Sequence, residues 1–298
     1  AWISLCLMAC NTDNEDNYEA TNNSICFMAN ETRAIADISN IQDEGFKVWG
    51  GFGTTTVFNG ENIVLGSDNS HTTDKKWTFN TYNFYAVYPS VNQLKKSIPA
   101  SVADSCGLTA DGKLKGYLPN TQTVTRSDRT VRDYVFDPNM DYAYMVAKEA
   151  YKIPKLDASG KPIDGQDVSI DLNFSSVVTA LKFTIKPGEI GLTNEDEGIS
   201  TIKVTDLTLY SKDGAELCGA FKCDFSKDKP TFETNNAYSG FSQIAMKLGE
   251  DGCTLSNESG SITTTFFLLP IEGGYTKGDL MLRIHYYVGD VPQYMTAR

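Results

Sequence analysis

Two histidines and seven cysteines are the residues of this 298-residue chain best suited to chemistry at a reactive centre. His71 lies in the polar run Asp68-Asn69-Ser70-His71-Thr72-Thr73-Asp74, and His285 in the middle of an alternating apolar stretch. A Ser/His/Asp nucleophile would have to use one of them, because an imidazole must take the hydroxyl proton. Their contexts predict a surface-loop residue for His71 and a strand-face residue for His285. The sequence has no G-x-S-x-G elbow, no H-E-x-x-H pair, no Walker loop and no G-x-G-x-x-G turn opening a helix. Gly50-Gly51-Phe52-Gly53 has the glycines without a helix to follow and reads as a turn or bulge. Carboxylates are plentiful but stand in no glycosidase context. Those from Asp157 through Asp167 lack the ligand order of a calcium-binding helical hand. The residues therefore predict a protein without catalysis, metal or cofactor.

One cysteine has a more specific context. Leu7-Met8-Ala9-Cys10 has the form of a bacterial lipobox: a branched apolar residue, a small residue before the cysteine, then the thiol that takes a diacylglyceryl group. The bland reading is a buried strand or helix end that happens to hold a cysteine. Residues 2–9 are too few to span a bilayer, which takes about 20. They read as the end of a signal peptide whose start precedes Ala1. Asp13, Glu15, Asp16 and Glu19 follow with no Lys or Arg among residues 11–20. Such a run cannot build a core and predicts a flexible acidic tether over residues 11–23. Cys6 leaves with the signal, so five cysteines remain: Cys26, Cys106, Cys218, Cys223 and Cys253. None has C-x-x-C spacing, which removes support for zinc or thioredoxin-type chemistry. Cys218 and Cys223 on one strand would point to opposite faces about 16 Å apart. Small buried hydrophobes are the expectation, without a disulfide framework.

The elements around these residues have a period of two. Composition is that of an ordinary globular chain, 41% hydrophobic and 21% charged. A net charge of −12 argues against nucleic acid as the main partner and against a polybasic grip on an anionic membrane. Tyr82, Phe84, Ala86 and Tyr88 alternate with other residues until Pro89. Val168–Phe174, Leu181–Ile185, Ile262–Leu268 and Leu280–Val288 repeat the pattern. Leu207–Tyr210 and Leu217–Phe221 flank Lys212-Asp213-Gly214, where Asp-Gly predicts a hairpin. Trp49 and Trp77 stand in strand-like contexts and are expected in the core. Ala100–Ser105 is the best helical candidate, as one short turn. Many short strands between Gly, Pro, Asn and Asp turns predict β-sandwiches. Two stretches offer boundaries: Pro154–Gln166, a linker or a long internal loop, and Pro187–Gly198.

Five blocks, in order, resemble the fimbrillin family of surface adhesins of Bacteroidales-type bacteria, the Mfa-like proteins. They are Phe46-Lys47-Val48-Trp49-Gly50 with Thr56-Val57-Phe58; Lys76-Trp77-Thr78-Phe79 with Tyr82–Pro89; Asp141–Ala147; Val168–Ile185; and Thr265-Phe266-Phe267-Leu268-Leu269-Pro270. Ser175-Ser176 stands near the family's usual histidine, which is a departure. The acidic run after Cys10 is similar to the signal that sends such lipoproteins to the outer cell surface.

The resemblance implies an all-β fold of two tandem transthyretin-like, Greek-key β-sandwich domains. It places the boundary in the second stretch, giving an N-terminal domain at 24–188 and a C-terminal domain at 189–298, the latter incomplete at its C-terminus. It implies a fimbrial subunit or adhesin at the outer membrane and cell surface, lipidated as a precursor at Cys10. An Arg-specific protease would then release the first strand, and a strand of the next subunit would take its place. Ser24-Ile25-Cys26-Phe27-Met28-Ala29 fits that exchanged strand, sitting at a sheet edge. The exposed run that follows makes Arg33-Ala34 the processing bond. The implied partners are other fimbrial subunits, outer-membrane lipid through the acyl chain, and a host or bacterial surface ligand. The alternative is a surface lipoprotein that binds glycans through exposed aromatic side chains on its sandwiches.

Overall fold

The computed structural model describes residues 24–33, 41, 43–78, 80–127, 133–152, 159, 169–186, 201–226, 231–234, 241–256, 260–270, 274–276 and 278–297. The lipobox Leu7-Met8-Ala9-Cys10, the tether, Ala34, the 157–167 carboxylates and the 187–198 boundary lie outside the described residues. The fold is all-β. The described residues form two compact units that interleave along the chain: those of the first fall within 24–97, 107–114 and 144–176, and those of the second within 98–106, 115–143 and 177–297.

The first unit is built on a seven-stranded sheet. Its strands are β1 (Ser24–Arg33), β2 (Phe46–Phe52), β3 (Thr55–Ile63), β4 (Ser70–Lys76), β5 (Thr81–Tyr88), β11 (Met145–Lys152) and β12 (Ser169–Ser176). The order is β3-β2-β5-β11-β12-β1-β4. Alternation drives it: Tyr82, Phe84 and Ala86 of β5 and Ile170, Leu172 and Phe174 of β12 are all fully buried. The sheet curls over a shared aromatic core. Phe27 of β1 meets Phe58 of β3 edge-on at 5.2 Å although four strands lie between them in the order. Phe46 of β2 likewise meets Phe174 of β12 at 5.2 Å. Trp77 is buried against Tyr82 at 4.9 Å. Trp49 is half-buried, packed against Gly60 and Gly107, where an added Cβ would meet its ring at 3.1 and 3.3 Å. β5 ends before a cis Tyr88-Pro89 bond. Helix α1 (Val91–Ser97) follows, and β6 (Gly107–Leu108) also belongs to this unit.

The second unit carries helix α2 (Ala100–Ala103), within the predicted helical turn, and two facing sheets. One has order β13-β19-β10-β9, from β9 (Val124–Arg126), β10 (Asp133–Pro138), β13 (Thr179–Ile185) and β19 (Ser261–Leu268). The other has order β21-β20-β14-β17-β8, from β8 (Thr121–Gln122), β14 (Thr201–Ser211), β17 (Gln243–Lys247), β20 (Leu280–Val288) and β21 (Val291–Ala297), with β18 (Cys253–Ser256) also on β14. The Gln122 side chain joins the layers as a strand would. Its amide donates to the Phe267 carbonyl at 2.6 Å and its carbonyl accepts the Phe267 N–H at 2.9 Å, all in the core. β7 (Leu114–Leu118), β15 (Gly219–Asp224) and β16 (Thr231–Thr234) form a further ladder, in which Gly116 lies flat against the Phe221 ring.

The predicted hairpin across Asp213-Gly214 is not formed. The turn is there, with Gly214 at φ +76°, but β14 pairs with β17, β18 and β20 while β15 pairs with β16 in another sheet. Lys212 N–H bonds to the Asp279 carbonyl and Leu217 N–H to that of Phe241, so the chain crosses between layers instead of doubling back. Asp141–Tyr144 also differs from expectation: Met140–Tyr142 is a 3₁₀ turn, its amide at Asp141 capped by the Asn139 side chain, and β11 begins only at Met145. The five cysteines of the described residues are free thiols, four buried and Cys106 half-buried.

Candidate strand-exchange site

The predicted exchanged strand is not at a sheet edge. β1 runs parallel to β12, with Cys26 opposite Ser169 and Glu31 opposite Phe174. It runs antiparallel to β4, with Ser24 opposite Lys76 and Met28 opposite Ser70. The edge belongs to β4, whose ladder partner among the described residues is β1. The expectation failed because Ser24–Ala29 carries buried residues at nearly every position, as a strand covered on both faces does. Ile25 and Phe27 are 0% exposed, Ala29 2% and Cys26 4%.

The strand is also longer than its apolar part. Asn30–Arg33, expected as an exposed run, continue the ladder to β12, and β1 ends at Arg33. The register with β4 stops at Met28, whereas that with β12 runs on to Arg33 opposite Ser175, with an irregularity before it. β1 thus has an N-terminal half paired on both sides and a C-terminal half paired with β12.

β4 adds side-chain grips. The Thr73 hydroxyl donates to the Ile25 carbonyl at 2.9 Å, the Thr72 hydroxyl to the Cys26 Sγ at 3.7 Å, and the Lys76 ammonium to the Ser24 hydroxyl at 2.7 Å. Sequence reasoning missed these residues: Ser70-His71-Thr72-Thr73-Asp74-Lys75-Lys76 is polar throughout, and only Thr73 is buried. His71, expected in a loop, is on β4 opposite Phe27, and its Nδ1 donates to the Val64 carbonyl at 2.9 Å. At the start of β4, the Ser70 hydroxyl and N–H donate to Asp68 at 2.9 and 3.0 Å and hold its carboxyl below the usual range. His285 lies mid-strand on β20, as expected, opposite Asp206 and Tyr294. No group of three or more His, Cys, Asp or Glu among the described residues is placed to hold a metal. No helix among them is long and apolar enough to cross a membrane.

The chemistry this arrangement can perform is main-chain pairing. Taking β1 away would uncover the β12 edge, strip β4 of its ladder partner and open a slot where Ile25 and Phe27 sat. Each buried side chain of that size contributes about 1.5–3 kcal/mol by leaving water, and an uncovered ladder seeks a new strand.

The fold has a counterpart among solved structures. A fimbrial protein from Bacteroides vulgatus is 15% identical, with a TM-score of 0.51 over 91% of this chain and 87% of that one. Its likeness shows a shared fold. A protein of Bacteroides ovatus described as a candidate cell adhesion protein is 11% identical, with a TM-score of 0.40 over 92% of this chain and 85% of the other. One of like description from Parabacteroides distasonis is 10% identical, with a TM-score of 0.40 over 92% and 81%. No protein-family model and no curated protein sequence matches the chain.

Proposed function

We propose that this chain is a structural subunit or adhesin of a cell-surface fimbria, exported as a lipoprotein precursor acylated at Cys10 to the outer membrane. Cleavage of Arg33-Ala34 would release β1, and a strand from another subunit would fill the slot, joining subunits by main-chain hydrogen bonds. The observation that carries this reading is the placement of β1: an inserted strand, buried at Ile25 and Phe27, that ends at the arginine of the candidate bond. Its C-terminal half pairs with β12 beyond the reach of β4, which suits access by a protease. The fold shared with a fimbrial protein supports the same reading.

The test is treatment of the chain with an Arg-specific protease, beside an Arg33→Gln variant. Cleavage at Arg33 followed by SDS-resistant ladders in the parent alone supports strand exchange. Ladders of equal strength from Arg33→Gln, or cleavage at Arg33 with no assembly, count against it.

A further inference from the structure

The outward face of the β21-β20-β14-β17-β8 sheet carries a second feature that strand exchange does not use. An open cleft of about 500 Å³ is lined by Thr121, Thr123, Asp206, Lys247, Glu250 and Tyr287. Its volume falls within the roughly 300–1,000 Å³ of small-molecule sites. The cleft is built by an irregularity. The β14–β20 register shifts between Val204 and Asp206, leaving Thr205 as an extra residue of β14. The Thr205 carbonyl accepts the Leu248 N–H at 2.9 Å, and β17 turns away at Gly249, φ +87°. This sets Glu250 beside the Asp206–Lys247 register pair.

The charged groups of the cleft are unspent, whereas the Thr123 hydroxyl already accepts from the Asn139 side-chain amide at 3.2 Å and pairs with the Tyr142 hydroxyl at 3.3 Å. Asp206 and Lys247 face each other across the ladder without an ion pair, and Glu250 also has no hydrogen-bond partner among the described residues. Tyr287, 38% exposed, puts a ring at the wall. The same face continues as an aromatic strip. Arg283 lies 5.3 Å from the Tyr210 ring and 5.4 Å from that of Tyr294, and His285 lies 6.4 Å from Tyr294, itself 67% exposed.

We infer that this cleft binds a neutral saccharide. A sugar ring carries partly positive C–H groups on one face and hydroxyls around its rim. The negative π-face of Tyr287 suits the first. Carboxylate acceptors, an ammonium donor and the Thr121 hydroxyl, which both donates and accepts, suit the second. Two carboxylates against one ammonium repel phosphate- or sulfate-bearing ligands. A protein partner would instead be expected on the flat strip, where Tyr294 and Arg283 are the type of anchor that dominates such interfaces. The inference stands apart from strand exchange, because it concerns the unassembled chain.

The experiment is calorimetric titration of that chain with neutral hexasaccharides of α-glucan, β-glucan, mannan and galactan. At least one binds, and Tyr287→Ala and Asp206→Asn each weaken it about tenfold or more. Tyr287→Phe keeps the ring and stays within about threefold, and Tyr294→Ala leaves affinity unchanged. Matching thermal melts exclude misfolding. Absence of binding across the panel overturns the inference, as does a Tyr287→Ala variant that binds like the parent. Loss on Tyr294→Ala with Tyr287→Ala unaffected overturns it in favour of the flat strip. Ladder formation by Tyr287→Ala reads out strand exchange separately.

Discussion

Phe27→Ala is the substitution that weighs most on β1. The ring is fully buried and meets Phe58 edge-on at 5.2 Å and Phe84 at 5.4 Å. Burial of a phenyl group contributes about 1.5–3 kcal/mol, and each edge-to-face pair about 0.5–1.5 kcal/mol more. The total agrees with the roughly 3–5 kcal/mol typical of buried Phe→Ala changes, in which the void left behind is part of the loss. Three kcal/mol is about two orders of magnitude in an equilibrium constant. Because the ladder partner of β4 among the described residues is β1, the loss falls on both strands. Urea unfolding should show the lower midpoint, and native-state hydrogen exchange should show β4 amides near Thr72 and Thr73 opening before those of β5. Met28→Ala, at a half-buried position, is the control and should cost under about 1 kcal/mol. A Phe27→Ala loss no larger than that of Met28→Ala would refute the view that β1 is anchored by its buried ring.

Gln122→Ala removes both hydrogen bonds to Phe267 and leaves a buried N–H and carbonyl unsatisfied; at about 1–3 kcal/mol for each group, thermal unfolding should fall by many degrees. Gly116→Ala puts a Cβ at 2.3 Å from the Phe221 ring, so overpacking of about 1–3 kcal/mol should lower the melting temperature. Burial pushes the thiols of Cys218, Cys223 and Cys253 up to about 12 from an ordinary 9.0. They should resist iodoacetamide at pH 8 until the chain unfolds, while half-buried Cys106 is labelled first. Between pH 9 and 12 the folded state holds protons that the unfolded chain has lost. Stability is therefore complete below about 9 and falls as pH rises through the folded values, readable in urea midpoints against pH.

Alternation in the sequence reported which side of a strand is buried, and this placed β5, β12, β13, β19 and β20 within a residue or two of their observed spans. It could not report partners. Leu207–Tyr210 and Leu217–Phe221 have hairpin spacing around Asp213-Gly214, yet their apolar faces belong to different layers, and long-range pairing with β17 and β20 decides the outcome. β4 escaped notice because its register with β1 rests on polar side chains. β21 was equally silent: Val291-Pro292-Gln293-Tyr294-Met295-Thr296-Ala297 is exposed at nearly every position, so nothing selects an alternating pattern. Its presence follows from the two-residue turn Gly289-Asp290, which sets Val291 opposite Val288. The apolar stretch of β1 was legible, but its extension to Arg33 was not, because Asn30-Glu31-Thr32-Arg33 has the composition of a loop. The cleft at Asp206 depends on a one-residue bulge that no residue type announces.

In the proposed assembly, β1 is exchanged after cleavage at its last residue. The most direct measurement is the intact mass of chains recovered from SDS-resistant ladders. Strand exchange predicts chains beginning at Ala34, with the peptide carrying Ser24–Arg33 absent from the assembled material. Ladders composed of chains that retain Ser24–Arg33 would contradict it.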